Sequence, residues 1–166
     1  LLRDAHYTGV AHGTIDLDRL LQTIGIFHGD LVIDKGGIVA VEGLLVARAL
    51  MYTSVYFHKT VRIAEMMLCK AAECAAGNIF ENIQIDTDCS FAAKLLKAGA
   101  ESRKLMTLLH YRRLYKKAFS VDIADLDDTS LASLLELTDY HRRKEVECKI
   151  AERARIKESE VIVDVP

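Results

Sequence analysis

Residues 39–57 constrain this chain more than any other stretch, because they read as one long helix that is apolar on most sides. Leu44, Ala47, Leu50, Met51, Val55 and Phe57 are spread round it, the pattern of a helix buried on several faces. Arg48, Tyr52 and Tyr56 recur every four residues and Lys59 continues the series. At ~100° per residue the four fall within an arc of roughly 80°. A buried cation needs an anion. The planar guanidinium matches carboxylate or phosphate oxygens, and phenols add hydroxyl hydrogen bonds and a flat face. The stripe therefore reads as one wall of a pocket for a phosphorylated, ring-bearing ligand. The alternative is an Arg48 paired with an internal acid beside two packing tyrosines.

The 166 residues, 51% of them hydrophobic, are enough to bury one sizeable core, so a single helical domain spanning 1–166 is expected. The net charge of −2 confines any anion-binding surface to a local patch, and bulk nucleic-acid binding is not implied. Cys69, Cys74, Cys89 and Cys148 include no C-x-x-C pair, which favours free, mostly buried thiols in a reducing compartment. No apolar run of ~18 residues is free of charge, and no basic segment followed by an apolar one opens the chain. A cytoplasmic protein without a membrane segment is expected. Leu1 falls in the middle of what reads as a helix, so the chain reads as a fragment of a longer protein.

Punctuation sets the remaining elements. Residues 1–7 read as a helix tail stopped by Thr8 and Gly9. Asp16 or Thr14 caps a helix over 17–27, with Gly29 after it. Leu31, Val32 and Ile33 read as a short strand running into the Asp34-Lys35-Gly36-Gly37 turn. Its expected partner is the β-branched run Val161, Ile162 and Val163, giving a small two-stranded ribbon. Further helices are expected over 60–76, from the Thr87-Asp88 cap through Leu96, over 102–119, 131–137 and 140–154. The fold class is all-α with that one ribbon.

Catalytic candidates are sparse. His6, His12, His28, His58, His110 and His141 form no pair with metal-ligand spacing, and P-loop, G-x-G-x-x-G and G-x-S-x-G motifs are absent. Asp4, beside Arg3, is poorly placed for the dipole at the end of its helix. It suits a sugar hydroxyl or, equally, a surface ion pair. On an expected helix, Tyr111-Arg112-Arg113-Leu114-Tyr115-Lys116-Lys117 puts Arg112 and Lys116 on one face and Arg113 and Lys117 on the next, with no acid between them. A solvated face, a polyphosphate contact and nucleic acid all fit that pattern. His141-Arg142-Arg143-Lys144, followed by Glu145 and Glu147, reads as an ordinary helix surface.

Several of these runs, in order, resemble a known family. Leu1 to Val10, Thr14-Ile15-Asp16-Leu17-Asp18-Arg19-Leu20, Val41-Glu42, Ala47-Arg48, Met51-Tyr52, Val55-Tyr56-Phe57-His58-Lys59, Arg112-Arg113-Leu114-Tyr115-Lys116 and the closing Val161-Ile162-Val163-Asp164-Val165-Pro166 resemble HD-domain deoxynucleoside triphosphate triphosphohydrolases, in the part after their last metal-binding aspartate. The resemblance implies the C-terminal portion of an HD-domain-like helical bundle. The whole enzyme would be a metal-dependent phosphohydrolase cleaving a deoxynucleoside triphosphate to nucleoside and triphosphate. It implies a divalent ion, with Mg, Mn, Fe and Zn not distinguished, whose His, His-Asp and Asp ligands lie upstream. This chain then supplies no catalytic and no metal residue.

By the same resemblance Asp4 meets the sugar 3′-hydroxyl, Arg48 the phosphate tail and Tyr56 the sugar edge, with Tyr52 beside them. His58, Lys59, Arg112 and Lys116 resemble positions that grip an activating nucleotide at subunit contacts. A nucleotide substrate and a homo-oligomer follow as partners, and nucleic acid and membrane do not. The rival reading is a non-catalytic helical module that senses nucleotides or assembles oligomers.

Overall fold

The computed structural model describes residues 1–10 and 15–165. His12, the alternative cap Thr14 and the closing Pro166 lie outside the described residues. The fold is mostly helical with one small antiparallel sheet, as the sequence indicates. The chain divides into two compact units, Leu1–Arg62 and Ile63–Pro166.

In the first unit α1 (Leu2–Thr8) is closed by Gly9, whose φ of 72° is the left-handed conformation expected of a helix stop. Asp16 caps α2 (Leu17–Thr23) by accepting the Arg19 N–H at 3.0 Å. That helix stops four residues short of the expected 27. Ile24–Phe27 instead forms β1, paired with β2 (Asp30–Ile33) in the register Ile24 to Ile33 and Ile26 to Leu31. The strand over 31–33 is thus present, but its expected partner is not. Val161, Ile162 and Val163 belong to no strand. A local hairpin wins because His28 and Gly29, with φ of 53° and 91°, make the doubly left-handed two-residue turn that joins adjacent strands at little loop-closure cost.

Gly37 ends a 3₁₀ turn (Lys35–Gly37) at the start of α3 (Ile38–Met51). A Cβ at Gly37 would overlap Thr23 Oγ1 and lie 2.5 Å from Thr23 Cβ, so only glycine lets the helix entry approach α2 this closely. Gly37→Ala is expected to cost about 1–3 kcal/mol. A thermal melt showing an unchanged midpoint would contradict that packing.

The central helix is less covered than its composition suggests. Ala47 and Met51 are buried, whereas Val39, Leu45, Val46, Leu50 and Phe57 are exposed. An all-round apolar helix carries more surface than α1, α2 and a hairpin can cover. By length and mean hydropathy of 1.6, the helical run Lys35–Tyr56 also meets the requirement for a membrane span, as core helices often do. Glu42 and Arg48 interrupt it.

The second unit contains most of α4 (Lys59–Glu73), then α5 (Asp88–Lys97), α6 (Ala100–His110), α7 (Asp128–Leu135) and α8 (Tyr140–Ala154). Thr87 and Ser90 form a reciprocal capping box on α5. Ser102, fully buried, donates to Leu95 O at 2.9 Å and ties α6 to α5. Met67, Ala71 and Leu105 form the core, joined by Met106, Leu109, Leu114, Tyr115 and Ile162.

The expected helix over 102–119 ends at His110. The Arg112 N–H donates to Leu109 O at 3.0 Å and the Arg113 N–H to Leu108 O at 2.8 Å, with Arg112 left-handed at φ 54°. That double closure is a helix stop usually carried by glycine. It places Leu114 and Tyr115 in the core. Tyr115 donates to Ser159 O at 3.1 Å, and its N–H meets Met67 Sδ at 3.3 Å. The cysteines are free, but they are less buried than expected. Cys69 and Cys89 are exposed and Cys74 and Cys148 half-buried, with burial pushing both of the latter thiols up.

Candidate functional site

The expected stripe survives in part. After Met51 the helix widens into a π-helical turn, Tyr52–Tyr56, closed by the Phe57 N–H donating to Tyr52 O at 2.8 Å. Tyr56 donates its hydroxyl to Asp4 Oδ2 at 2.5 Å, across 52 residues of sequence. Its ring meets Tyr52 edge to face at 5.0 Å. Arg48 donates to the Tyr52 hydroxyl at 3.1 Å and lies over that ring at 5.1 Å. Asp4, Tyr56, Tyr52 and Arg48 are therefore one connected chain of polar and aromatic contacts within the first unit.

Asp4 lies on α1 within reach of the Tyr56 hydroxyl, and that contact, not the helix dipole, accounts for a carboxylate at this position. Arg3 lies 3.7 Å away, so the surface ion pair and the Tyr56 contact coexist. Arg48 is exposed, and among the described residues no carboxylate pairs with it. The internal acid offered as its alternative partner is not there. These four side chains line neither of two depressions. One is a cleft of about 510 Å³ lined by Ile15, Asp16, Arg19 and Val39, and the other lies on α7 against Thr129, Ser133 and Leu134.

The Tyr56 hydroxyl holds the Asp4 carboxyl below its usual value, and the same bond pushes the Tyr56 phenol up. Each shift has its own sign. A lowered carboxyl contributes while ionised, so its share is lost as pH falls through that lowered value. A raised phenol contributes while protonated, so its share is lost as pH rises through the raised value. The tether is expected to hold unchanged from about pH 5 to pH 9, between the ordinary carboxylate and phenol ranges. A Tyr56 ring resonance that titrates within that window would contradict it.

The other expected contacts fall differently. His58 and Lys59 are exposed, and Lys59 opens α4 instead of continuing the stripe on one helix. His58 Nδ1 accepts the Thr60 N–H at 3.3 Å, so His58 serves as a cap. Arg112 and Lys116, in the second unit, share no helix face, because the chain has left α6 before either is reached. Among the described residues Arg112, Arg113, Lys116 and Lys117 are exposed and meet no carboxylate.

One charged cluster is missing from the sequence reading. Lys70, 3% exposed, meets the buried Glu147 Oε2 at 2.6 Å, with Glu73 and Glu158 at 3.8 and 3.9 Å. Arg143 pairs with Glu73 at 3.0 Å, and Glu147 Oε1 accepts the Val163 N–H at 2.9 Å. The surface expected for Arg143 and Glu147 is an interior ion network that also fastens the C-terminal segment. A signal existed: Lys70 follows Met67 by three residues and precedes Cys74 by four, inside the apolar face of α4.

Among the described residues no group of three His, Cys, Asp or Glu side chains is placed to hold a metal ion. The four-residue chain presents a pinned carboxylate and phenol suited to hydroxyl groups, and a guanidinium, held by Tyr52 but by no carboxylate, suited to an anion.

The chain is 38% identical over 133 residues to an uncharacterized protein of Methanocaldococcus jannaschii, a match covering 76% of this chain and 29% of that protein. It is 30% identical over 131 residues to the uncharacterized protein YwfO of Bacillus subtilis, covering 76% and 30%. Its structure is similar to a phosphohydrolase of Bacteroides thetaiotaomicron, with TM-score 0.51, 26% identity, and 96% of this chain on 45% of that one. It is also similar to a hypothetical protein of Aquifex aeolicus, with TM-score 0.52, 28% identity, and coverage of 81% and 37%. The chain thus spans under a third of these curated relatives and under half of these solved chains. Residues 15–166 match the family model described as the HD associated region, and the chain belongs to that family.

Proposed function

We propose that this chain is the substrate-positioning portion, C-terminal to the metal-binding motif, of an HD-superfamily phosphohydrolase that converts deoxynucleoside triphosphates to nucleoside and triphosphate. The observation that carries the reading is the contact chain from Asp4 through Tyr56 and Tyr52 to Arg48. Its two ends suit the two ends of a nucleotide. Asp4 and Tyr56 address a sugar hydroxyl, where an unpaired buried partner costs about 1–3 kcal/mol and so discriminates between sugars. Arg48, lacking a carboxylate, binds the phosphate tail with its planar fork, and Tyr52 fixes the angle of that fork. The similarity to a phosphohydrolase supports the reaction class.

In this reading a divalent ion would be held by a His, His-Asp and Asp set upstream of this chain, whose own contribution would be to bind and orient. His58, Lys59, Arg112 and Lys116 are proposed to contact a regulatory nucleotide in a cytoplasmic homo-oligomer. The exposed cations of residues 112–117 support that part. The test is a screen of the full-length protein against the four deoxynucleoside triphosphates with Mg²⁺ or Mn²⁺, with products resolved by ion exchange. Triphosphate release is the expected result. Release of orthophosphate alone, or no product from any nucleotide, would overturn the reading.

A further inference from the structure

Beside the face that holds Arg48, α3 carries two seams with the same spacing. Ala40, Leu44, Ala47 and Met51 follow one another at intervals of four, three and four residues, and all are buried or half-buried. Val39, Gly43, Val46 and Leu50 repeat those intervals one residue earlier. At ~100° per residue each set falls within an arc of roughly 60°, and the second lies about 100° round the axis from the first. Alternating steps of four and three are the pattern by which one helix packs along another. The first seam is used inside the unit. The second is open, with Val39 78%, Val46 59% and Leu50 41% exposed.

Two further features suit the open seam to a helix rather than to water. Gly43 stands inside a 14-residue helix, where glycine is a poorer helix former than alanine. A Cβ at Gly43 would meet nothing within 4 Å, whereas one at Gly37 would overlap Thr23. Nothing among the described residues therefore calls for a missing side chain at 43, but a second helix crossing there at close range does. Val39 and Gly43 also line the 510 Å³ cleft with Ile15, Asp16 and Arg19, so the first half of the seam is the wall of a groove.

The size of the seam selects its occupant. Three aliphatic side chains and a glycine present on the order of 300 Å², against the ~800 Å² that each partner buries in a stable free complex. A helix joined to the same chain needs less, because the linkage supplies its effective concentration. Polypeptide for that role exists in the relatives, of which this chain matches under a third of the curated pair and 45% of the phosphohydrolase. We propose that Val39, Gly43, Val46 and Leu50 seat a helix from the part of the same polypeptide that precedes Leu1. The placing of that part before Leu1 rests on the function proposed above; the seating of a helix on the seam does not.

Two measurements on the full-length protein test this. On an open helix face Gly43→Ala raises the thermal midpoint, because alanine is the better helix former and narrows the unfolded ensemble. Against a seated helix the added methyl overpacks the seam, and the midpoint is expected to fall by about 2–4 °C or more. A midpoint that rises or stays unchanged overturns the proposal. The second measurement irradiates protein grown with the diazirine analogue of leucine. The peptide carrying Leu50 is expected to be joined to one from before Leu1, with no mixed adducts when isotopically light and heavy protein are combined. Adducts only between copies, adducts only to residues after Leu1, or no peptide adduct at position 50, as a lipid or solvent contact would give, each overturn it. A protein that meets both expectations but hydrolyses no nucleotide keeps the seated helix and loses the proposed function; one that hydrolyses nucleotides but fails either test keeps the function and loses the helix.

Discussion

Lys70→Ala is expected to destabilise the second unit by about 3–5 kcal/mol, the largest stability effect of any single change considered for this chain. The cause is the carboxylate left behind. Glu147 is as buried as its partner, and Lys70 is its closest cation at 2.6 Å. Its other oxygen remains on the Val163 N–H, which does not offset a buried negative charge. The paired change K70M/E147L removes both charges while keeping the volume, and is expected to recover most of the loss, because a buried ion pair often contributes little over a well-packed apolar pair. Urea unfolding of the two variants checks this. A single variant that unfolds within about 1 kcal/mol of the native protein would mean that water reaches Glu147.

Arg48→Ala in the full-length protein is expected to lower kcat/KM by about 100-fold or more, in the range found when one preorganised donor to a developing anion is removed. Arg48→Lys should rescue little of it. A lysine ammonium cannot present a planar fork, and it loses the guanidinium stacking over Tyr52. Both variants should keep the native melting temperature, because Arg48 is exposed and holds no carboxylate. Steady-state kinetics with a melt as control separates the outcomes. Native kcat/KM in Arg48→Ala would remove the phosphate-binding role from this residue.

Local signals were readable where one residue type had one conformational use. Gly9 stops α1, Asp16 caps α2, Thr87 caps α5, and α8 occupies the expected 140–154. Each rests on hydrogen bonds made within a few residues. Legibility failed where a residue acted against its type. Arg112 closes α6 in a conformation normally left to glycine, so nothing in the composition marks the stop. His28 and Gly29 did carry a hairpin signal, hidden because the apolar residues before them also satisfy a helical period.

The sequence by itself determined the helical class, most helix starts and the spacing that puts Arg48 and Tyr52 on one face, since all of these depend on periodicity and capping. Tertiary structure decided what distant residues do for one another: that Asp4 receives the Tyr56 hydroxyl, that Lys70 and Glu147 lie inside, and that residues 161–163 follow the core instead of pairing as a strand. The physical reason is range. Propensity and period act over a turn or two, whereas a buried charge or a shared proton is settled by whichever group the fold brings within 3 Å.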